Sequence, residues 1–169
     1  ATQRSSSRYY QRPDADYLGV DSTATSLFGY SAQAGLRKQA GLWRFEVSGS
    51  AHSPGYEVND IGFMRRVDRI GTQADFGYNQ TRPGRYTRNW NVTVAPRLAW
   101  NYGGDLIDAS TTISTRAQLH NFARVTGRFS YNPAKMNQRL TRGGPLTRDP
   151  HGYSGSLNYS TVNQASVTW

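Results

Sequence analysis

The chain of 169 residues carries a formal net charge of +9, a mean hydropathy of -0.72 and 36% hydrophobic residues. It contains no cysteine, which excludes disulfides and thiolate metal sites. No run approaches the roughly 18 apolar residues that a membrane helix needs, so a helical membrane protein is excluded. Aromatic residues make up 12% of the chain, and the low hydropathy therefore does not indicate disorder.

The first 25 residues are polar and are predicted to form a long loop segment. Beyond them, apolar and polar residues alternate with a period of two, which is typical of strands with two unlike faces. Trp43 and Phe45, for example, flank Arg44. This alternation across residues 26–169 predicts eight strands, over 26–38, 42–52, 69–80, 86–102, 106–119, 123–131, 153–160 and 164–169.

Charged and amide side chains recur well inside these strands. The pattern predicts an all-β fold, an antiparallel up-and-down transmembrane β-barrel with a polar lumen and an apolar lipid face. The residues predicted to face the lumen are Arg37, Arg44, Glu46, Asp75, Arg97, Asp108, Arg116, Arg124 and Arg128. The residues predicted to face lipid are Trp43, Phe45, Val47, Trp90, Val92, Val94, Leu98, Trp100, Ile113 and Phe129.

The connections between the predicted strands also fit a barrel. Short turns fall at one end, whereas the segment 1–25 and the loops 53–68 and 132–152 fall at the other, where only the turn at 103–105 is short. Aromatic residues lie near strand ends, as they do in the girdles of membrane barrels. Pro96 interrupts a strand that needs hydrogen bonds on both sides, and we expect a bulge there.

The search for catalytic chemistry yields no candidate. The sequence contains no GxSxG, P-loop or HExxH motif, so we name no catalytic residue, expect no cofactor and favour a non-enzymatic function. His52, His120 and His151 are far apart, and their spacing predicts solvated turn histidines and not metal ligands.

One group of carboxylates is a candidate for Ca²⁺. Asp14, Asp16 and Asp21 lie close together in the first loop, and hard oxygen ligands at close spacing can hold this ion. They do not follow the EF-hand pattern. A solvated or arginine-paired loop is the favoured alternative.

The basic residues have two interpretations. Arginines on the predicted lumen wall could bind or pass anions, or they could pair with carboxylates and simply fill the interior; the second is favoured. Nucleic-acid binding requires basic residues interleaved with stacking aromatics, and here the two types lie on opposite faces. No nucleic-acid partner is therefore expected.

Three loop strings are more distinctive than the strands: RSSSRYYQRPDADYLGVD at 4–21, SPGYEVNDIGF at 53–63 and TRGGPLTRDP at 141–150. They resemble a family of outer-membrane-associated bacterial proteins that join an N-terminal carbohydrate-binding, family-nine-like domain to a C-terminal β-barrel domain of unknown function. The resemblance spans essentially the whole chain and implies a fragment of a larger barrel, without the sugar-binding module. The alternative is a complete eight-stranded barrel that ends at Trp169.

Pattern and resemblance together predict a bacterial outer-membrane β-barrel that acts as an anchor, scaffold or pore, linked to carbohydrate binding or uptake at the cell surface. The expected partners are outer-membrane lipid, other outer-membrane or surface proteins, and glycans. The alternative is a soluble or surface-attached β-rich module that binds carbohydrate with exposed Trp and Tyr. A hydrolase, as the family is sometimes labelled, ranks third because no residues can be named for it.

Overall fold

The computed structural model describes residues 2–58 and 66–161. A short 3-10 helix, Thr2–Arg4, precedes the strands. No helix among these residues is long and apolar enough to cross a membrane. The strands are β1 (Ser31–Lys38), β2 (Trp43–His52), β3 (Arg69–Gln80), β4 (Thr87–Trp100), β5 (Leu106–Leu119), β6 (Arg124–Asn132), β7 (Lys135–Asn137), β8 (Thr147–Asp149) and β9 (Gly152–Ser160).

Seven strands form one antiparallel sheet in the order β1-β2-β3-β4-β5-β6-β9, and β7 pairs only with β8. Each long strand thus pairs with its neighbour along the chain, and the prediction of an all-β antiparallel meander is confirmed. The described strands form an open sheet with β1 and β9 at its edges, not a closed barrel. The strand predicted at 164–169 lies outside the described residues.

The first strand begins at Ser31 and not at residue 26 as predicted. The residues before it pack against the turn that follows β2, where Tyr30 N donates to Ser53 Oγ at 2.7 Å and Ser53 N donates to Tyr30 O at 3.0 Å. A Cβ at Gly29 would collide with the backbone of this turn. This close approach replaces strand pairing before Ser31.

The loop predicted at 132–152 contains the hairpin of β7 and β8, which the sequence did not reveal. Strands of three residues are too short to show an alternation of polar and apolar positions. The hairpin is tied to the sheet through Asp108 of β5, whose Oδ1 lies 3.2 Å from Lys135 Nζ.

The predicted bulge at Pro96 is wrong. The ladder between β3 and β4 is interrupted there, but the register is the same on both sides, with Gln73 opposite Arg97 and Phe76 opposite Val94. On the other side Pro96 pairs with Thr111 of β5. Proline has no N–H to donate, so the chain loses ladder bonds without inserting a residue. The shifts in β4 lie at its two ends instead.

Few large side chains are buried. The described buried apolar residues in the sheet are mainly alanines, such as Ala99 and Ala109 at 0% exposure. The largest fully buried side chains are Val67, Asp68 and Asn101, all in loops at one end of the sheet. Most of the area of the sheet is therefore left uncovered by the described residues, whose buried side chains concentrate at the loop end.

Candidate functional site

One face of the sheet is apolar across all seven strands. Its central row runs through Phe45, Phe76, Val94, Ile113 and Phe129, each opposite the next in register. Exposed apolar side chains occur on this face in each of the seven strands, from β1 to β9.

Two side chains show how open this face is. Trp43 is 65% exposed and Leu157 is 79% exposed. Apart from Lys38 and Arg88 near strand ends, every charged residue of the seven strands lies on the opposite face. The register therefore separates charge from apolar surface over the whole sheet.

The register also locates the residues that were predicted to face lipid or lumen. The ten predicted lipid-facing residues share the apolar face, and the nine predicted lumen-facing residues share the other, which we call the polar face. The pleat places them so, because side chains alternate between the two faces along each strand and residues opposite each other share a face.

Aromatic side chains cluster at both ends of the sheet. At the short-turn end the ring of Tyr78 lies 4.8 Å from that of Trp43 and 5.2 Å from that of Trp90. At the loop end Tyr30 and Tyr102 pack edge to face at 6.5 Å, and their hydroxyl groups are 3.0 Å apart. Aromatic rings thus border the apolar face at its short-turn end and at its loop end.

The described part of the polar face contains open depressions. One, of about 590 Å³, lies over β1 to β3, where Arg37 Nε is 2.8 Å from Glu46 Oε2 and Asp75 adds a second carboxylate. Another, of about 220 Å³, lies near the loop end and is lined by Gln73, Arg97 and their neighbours.

A third depression, of about 330 Å³, lies over β4 to β9 and differs in charge. We call it the arginine shelf; it is built on Arg116 and Arg128 with hydroxyl and amide neighbours. No carboxylate lines it. Within the described part of the chain neither arginine has an ion-pair partner.

The long loops meet in a compact cap at one end of the sheet, made of residues 2–21, 53–58, 66–68, 101–105 and 135–149. Arg8 is fully buried and joins two of them, because its Nη2 is 2.6 Å from both Tyr56 O and Glu57 Oε2. Asp14 accepts a hydrogen bond from Leu146 N and joins a third. The string at 4–21 therefore contacts the string at 141–150 and the described part of the string at 53–63 in this loop-end cap.

Asp68 is the centre of a buried polar network in the cap. Its Oδ2 accepts from Tyr17 Oη at 2.7 Å and lies 3.3 Å from Arg12 Nη2, and its Oδ1 accepts from Tyr102 N at 3.0 Å. Arg12 Nη1 donates to Gln138 Oε1 at 2.9 Å, which brings in the β7–β8 hairpin. Every oxygen of the carboxylate is thus satisfied.

Burial sets the protonation of this network. It raises the pKa of Asp68 above the ordinary value, against the hydrogen bonds from Tyr102 and Tyr17 and the charge of Arg12, which lower it. Burial also raises the pKa of Tyr17, and its bond to Asp68 adds to the shift. Tyr17 therefore keeps its proton and remains a donor. The network joins four loop segments, 2–21, 66–68, 101–105 and 135–149.

The three histidines lie in separate places. His52 Nδ1 is 2.9 Å from Ser31 Oγ at the end of β2, and His120 Nε2 donates to Gly84 O at 2.9 Å between two turns. His151 is exposed between β8 and β9.

The structure does not bring the three aspartates proposed for Ca²⁺ together. Asp14 accepts from Leu146 N, whereas Asp21 Oδ1 accepts from Thr23 N at 2.8 Å and from Thr23 Oγ1 at 2.6 Å. The hydrogen bonds from the side chain and backbone of Thr23 lower the pKa of Asp21. Among residues 2–58 and 66–161, no group of three or more His, Cys, Asp or Glu residues is arranged to hold a metal ion.

A family match covers both the sheet and the cap. Residues 2–167 match the family described as "Domain of unknown function (DUF5916)". The chain belongs to the DUF5916 family. No curated protein and no solved structure matches it.

The buried Arg12–Asp68 pair of this DUF5916 chain was not predicted from its sequence. The two residues are 56 positions apart in loops, where no periodicity relates them. The one available signal was the distinctiveness of the string at 4–21, which contains Arg8 and Arg12. That signal marked the segment but not the partner of either arginine.

Proposed function

We propose that this chain forms part of the wall of a bacterial outer-membrane β-barrel that acts as an anchor, scaffold or pore. The observation that supports the proposal most is the exposed apolar face, which continues in register across seven strands and opposes a face that carries the charges.

The size of this face favours lipid as its solvent. Soluble monomers rarely expose a contiguous apolar patch larger than a few hundred Å². Seven strands about 4.8 Å apart make a face roughly 30 Å wide. All of them except β1 have 9 to 14 residues, enough to cross the apolar band of a membrane barrel, which is about 25 Å tall. The aromatic pairs at both ends of the sheet fit the two interfacial girdles of such a band.

The polar face fits a lumen. Its ion pairs and hydroxyl groups would line a water-filled or plugged interior once further strands close the sheet. The long loops of membrane barrels lie on the extracellular side. The proposal therefore places the loop-end cap at the cell surface, where it would meet glycans and surface proteins. The link to glycans rests on the resemblance of the three strings alone.

A second candidate is a soluble or surface-attached module that binds carbohydrate. It is favoured by an aromatic group in which the ring of Tyr78 lies 4.8 Å from that of exposed Trp43 and 5.2 Å from that of exposed Trp90. In that case another protein layer would have to cover the rest of the apolar face.

Heat-modifiable gel mobility of the full-length protein, extracted from outer membranes with detergent, separates the two. A closed membrane barrel migrates faster before boiling and shifts to its full apparent mass afterwards. Recovery in the soluble fraction with no shift on boiling would contradict the barrel and leave the carbohydrate-binding module.

A further inference from the structure

The arginine shelf brings two cations close together on neighbouring strands. Arg116 of β5 is opposite Thr126 of β6, and Ser114 is opposite Arg128. The two arginines are therefore diagonal neighbours, with Cα atoms about 7–8 Å apart. Side chains of this length can converge on a single group between them.

No described residue neutralises the charges of the shelf. Both arginine side chains are exposed, and neither has an ion pair or a side-chain hydrogen bond in the described part of the chain. The depression over β1 to β3 differs, because there Glu46 pairs with Arg37. If the arginines only paired with carboxylates to fill an interior, carboxylates would line both depressions.

The rest of the lining indicates the ligand. Two rows of the polar face surround the arginines with amides and hydroxyls, including Asn91, Asn158 and Ser156. Planar guanidinium groups bind phosphate in a bidentate manner, and amides and hydroxyls bond to the hydroxyl groups of a ligand. The volume of about 330 Å³ falls in the range for small-molecule sites.

We propose that the arginine shelf is a binding site for small hydroxylated organic phosphates, the chemical class of the sugar phosphates. Arg116 and Arg128 hold the phosphate, and the amides and hydroxyls in their rows hold the remainder of the molecule. The site needs only the polar face of the sheet, so it does not depend on whether the apolar face meets lipid or another protein layer.

Isothermal titration calorimetry on the full-length protein at low ionic strength tests the site, with glucose 6-phosphate as the probe. We expect binding to the unaltered protein and a loss of about ten-fold or more in affinity for Arg116→Gln and for Arg128→Gln, since each removes charge-assisted hydrogen bonds. Arg82→Gln is the matched control, because Arg82 is exposed in the β3–β4 turn and its loss changes the net charge equally. Glucose without phosphate should not bind.

Three results would overturn the proposal. One is the absence of binding to the unaltered protein. Another is an equal loss in Arg82→Gln, which would show a general charge effect. The third is equal affinity for inorganic phosphate and glucose 6-phosphate, which would remove the role of the amides and hydroxyls. Far-ultraviolet circular dichroism of each variant reports whether the sheet is intact, and heat-modifiable mobility of the unaltered protein tests the membrane proposal separately.

Discussion

Asp68 shows how much the loop end depends on single residues. Its backbone has a φ of 57°, in the left-handed region that aspartate tolerates better than most residues. This conformation lets both carboxylate oxygens reach partners in other loops. Arg12 and Asp68 are each only 2% exposed at the side chain, so each is the counter-charge on which the other depends.

Replacing Arg12 with methionine should therefore destabilise the protein strongly. The variant leaves Asp68 buried without its cation, and we expect the free energy of unfolding to fall by about 3–5 kcal/mol. Urea unfolding followed by tryptophan fluorescence measures it. Arg82→Met, in an exposed turn, should change stability by less than about 1 kcal/mol. Equal effects of the two changes would contradict a buried pair.

The pH dependence of Asp68→Asn has a defined sign. Because the pKa of Asp68 is raised above its ordinary value of 3.8, the folded state holds this proton more tightly than the unfolded state does. The contribution of Asp68 to the free energy of unfolding is then fully present below pH 3.8 and is lost as pH rises through the folded pKa. The stability difference between the unaltered protein and Asp68→Asn should fall from acid to neutral pH.

Asp21→Asn provides the opposite case. The pKa of Asp21 is lowered by Thr23, so its contribution is present above pH 3.8 and is lost as pH falls. Urea unfolding at several pH values between 3 and 7 compares the two variants. Stability differences that change with pH in the same direction for both would contradict this assignment.

At the scale of strands, the separation of the two faces is the property most open to test. Val94 lies in the middle of β4, opposite Phe76 and Ile113 on the apolar face, and Thr93 beside it lies on the polar face. The two residues lie on opposite faces of the sheet at nearly the same position along β4.

On the proposed barrel, Val94→Lys should reduce folding into lipid vesicles, because a lysine on the lipid side near the bilayer centre costs about 2–4 kcal/mol. Thr93→Lys adds the same charge toward the polar face and should fold as the unaltered protein does. The fraction of protein in the heat-modifiable band after reconstitution measures both. Equal folding of the two variants would argue against lipid contact at this face.

The sequence predicted those strands that have a long alternation and missed those that do not. The strands at 69–80 and 106–119 were predicted with the bounds that the structure shows, because 12 and 14 residues display the period of two clearly. The β7–β8 hairpin has three residues in each strand and shows no period. Its position depends on Lys135 and Asp108, a contact between residues 27 positions apart.

The same distinction applies to the candidate sites. The arginines of the shelf were placed on one face from the sequence, since the pleat fixes the face. Their grouping apart from carboxylates required the register between strands, which no local pattern supplies. The partners in the loop-end cap could not be predicted either, because loop residues follow no periodicity.

At the scale of the whole molecule, the number of strands limits how the sheet can close. In the order of seven strands, β1 and β9 run in the same direction, since five alternating strands lie between them. Pairing them directly would make a parallel contact, whereas bacterial outer-membrane barrels are antiparallel with an even strand number. Antiparallel closure thus needs an odd number of additional strands, and the prediction at 164–169 would supply one.

Engineered disulfides test this geometry in a chain that has no native cysteine. Ala34→Cys with Gly49→Cys should cross-link on oxidation, because these residues are partners in β1 and β2. Ala34→Cys with Leu157→Cys joins the two edge strands and should remain reduced. Non-reducing electrophoresis after digestion distinguishes the products. A disulfide between the edge strands would show that seven strands close on themselves.

The loop-end cap affects the order in which the parts of the protein fold. Its bonds join residues far apart along the chain: Arg12 to Gln138, Arg139 to Ser6 and Asp14 to Leu146, at separations of 126, 133 and 132 residues. Contacts of such range form slowly, because a long stretch of chain must be ordered before its ends can meet. The hairpins of the sheet need only near neighbours and can form earlier. The segment 2–21, which the ribosome makes before the strands, is therefore expected to reach its final place after them.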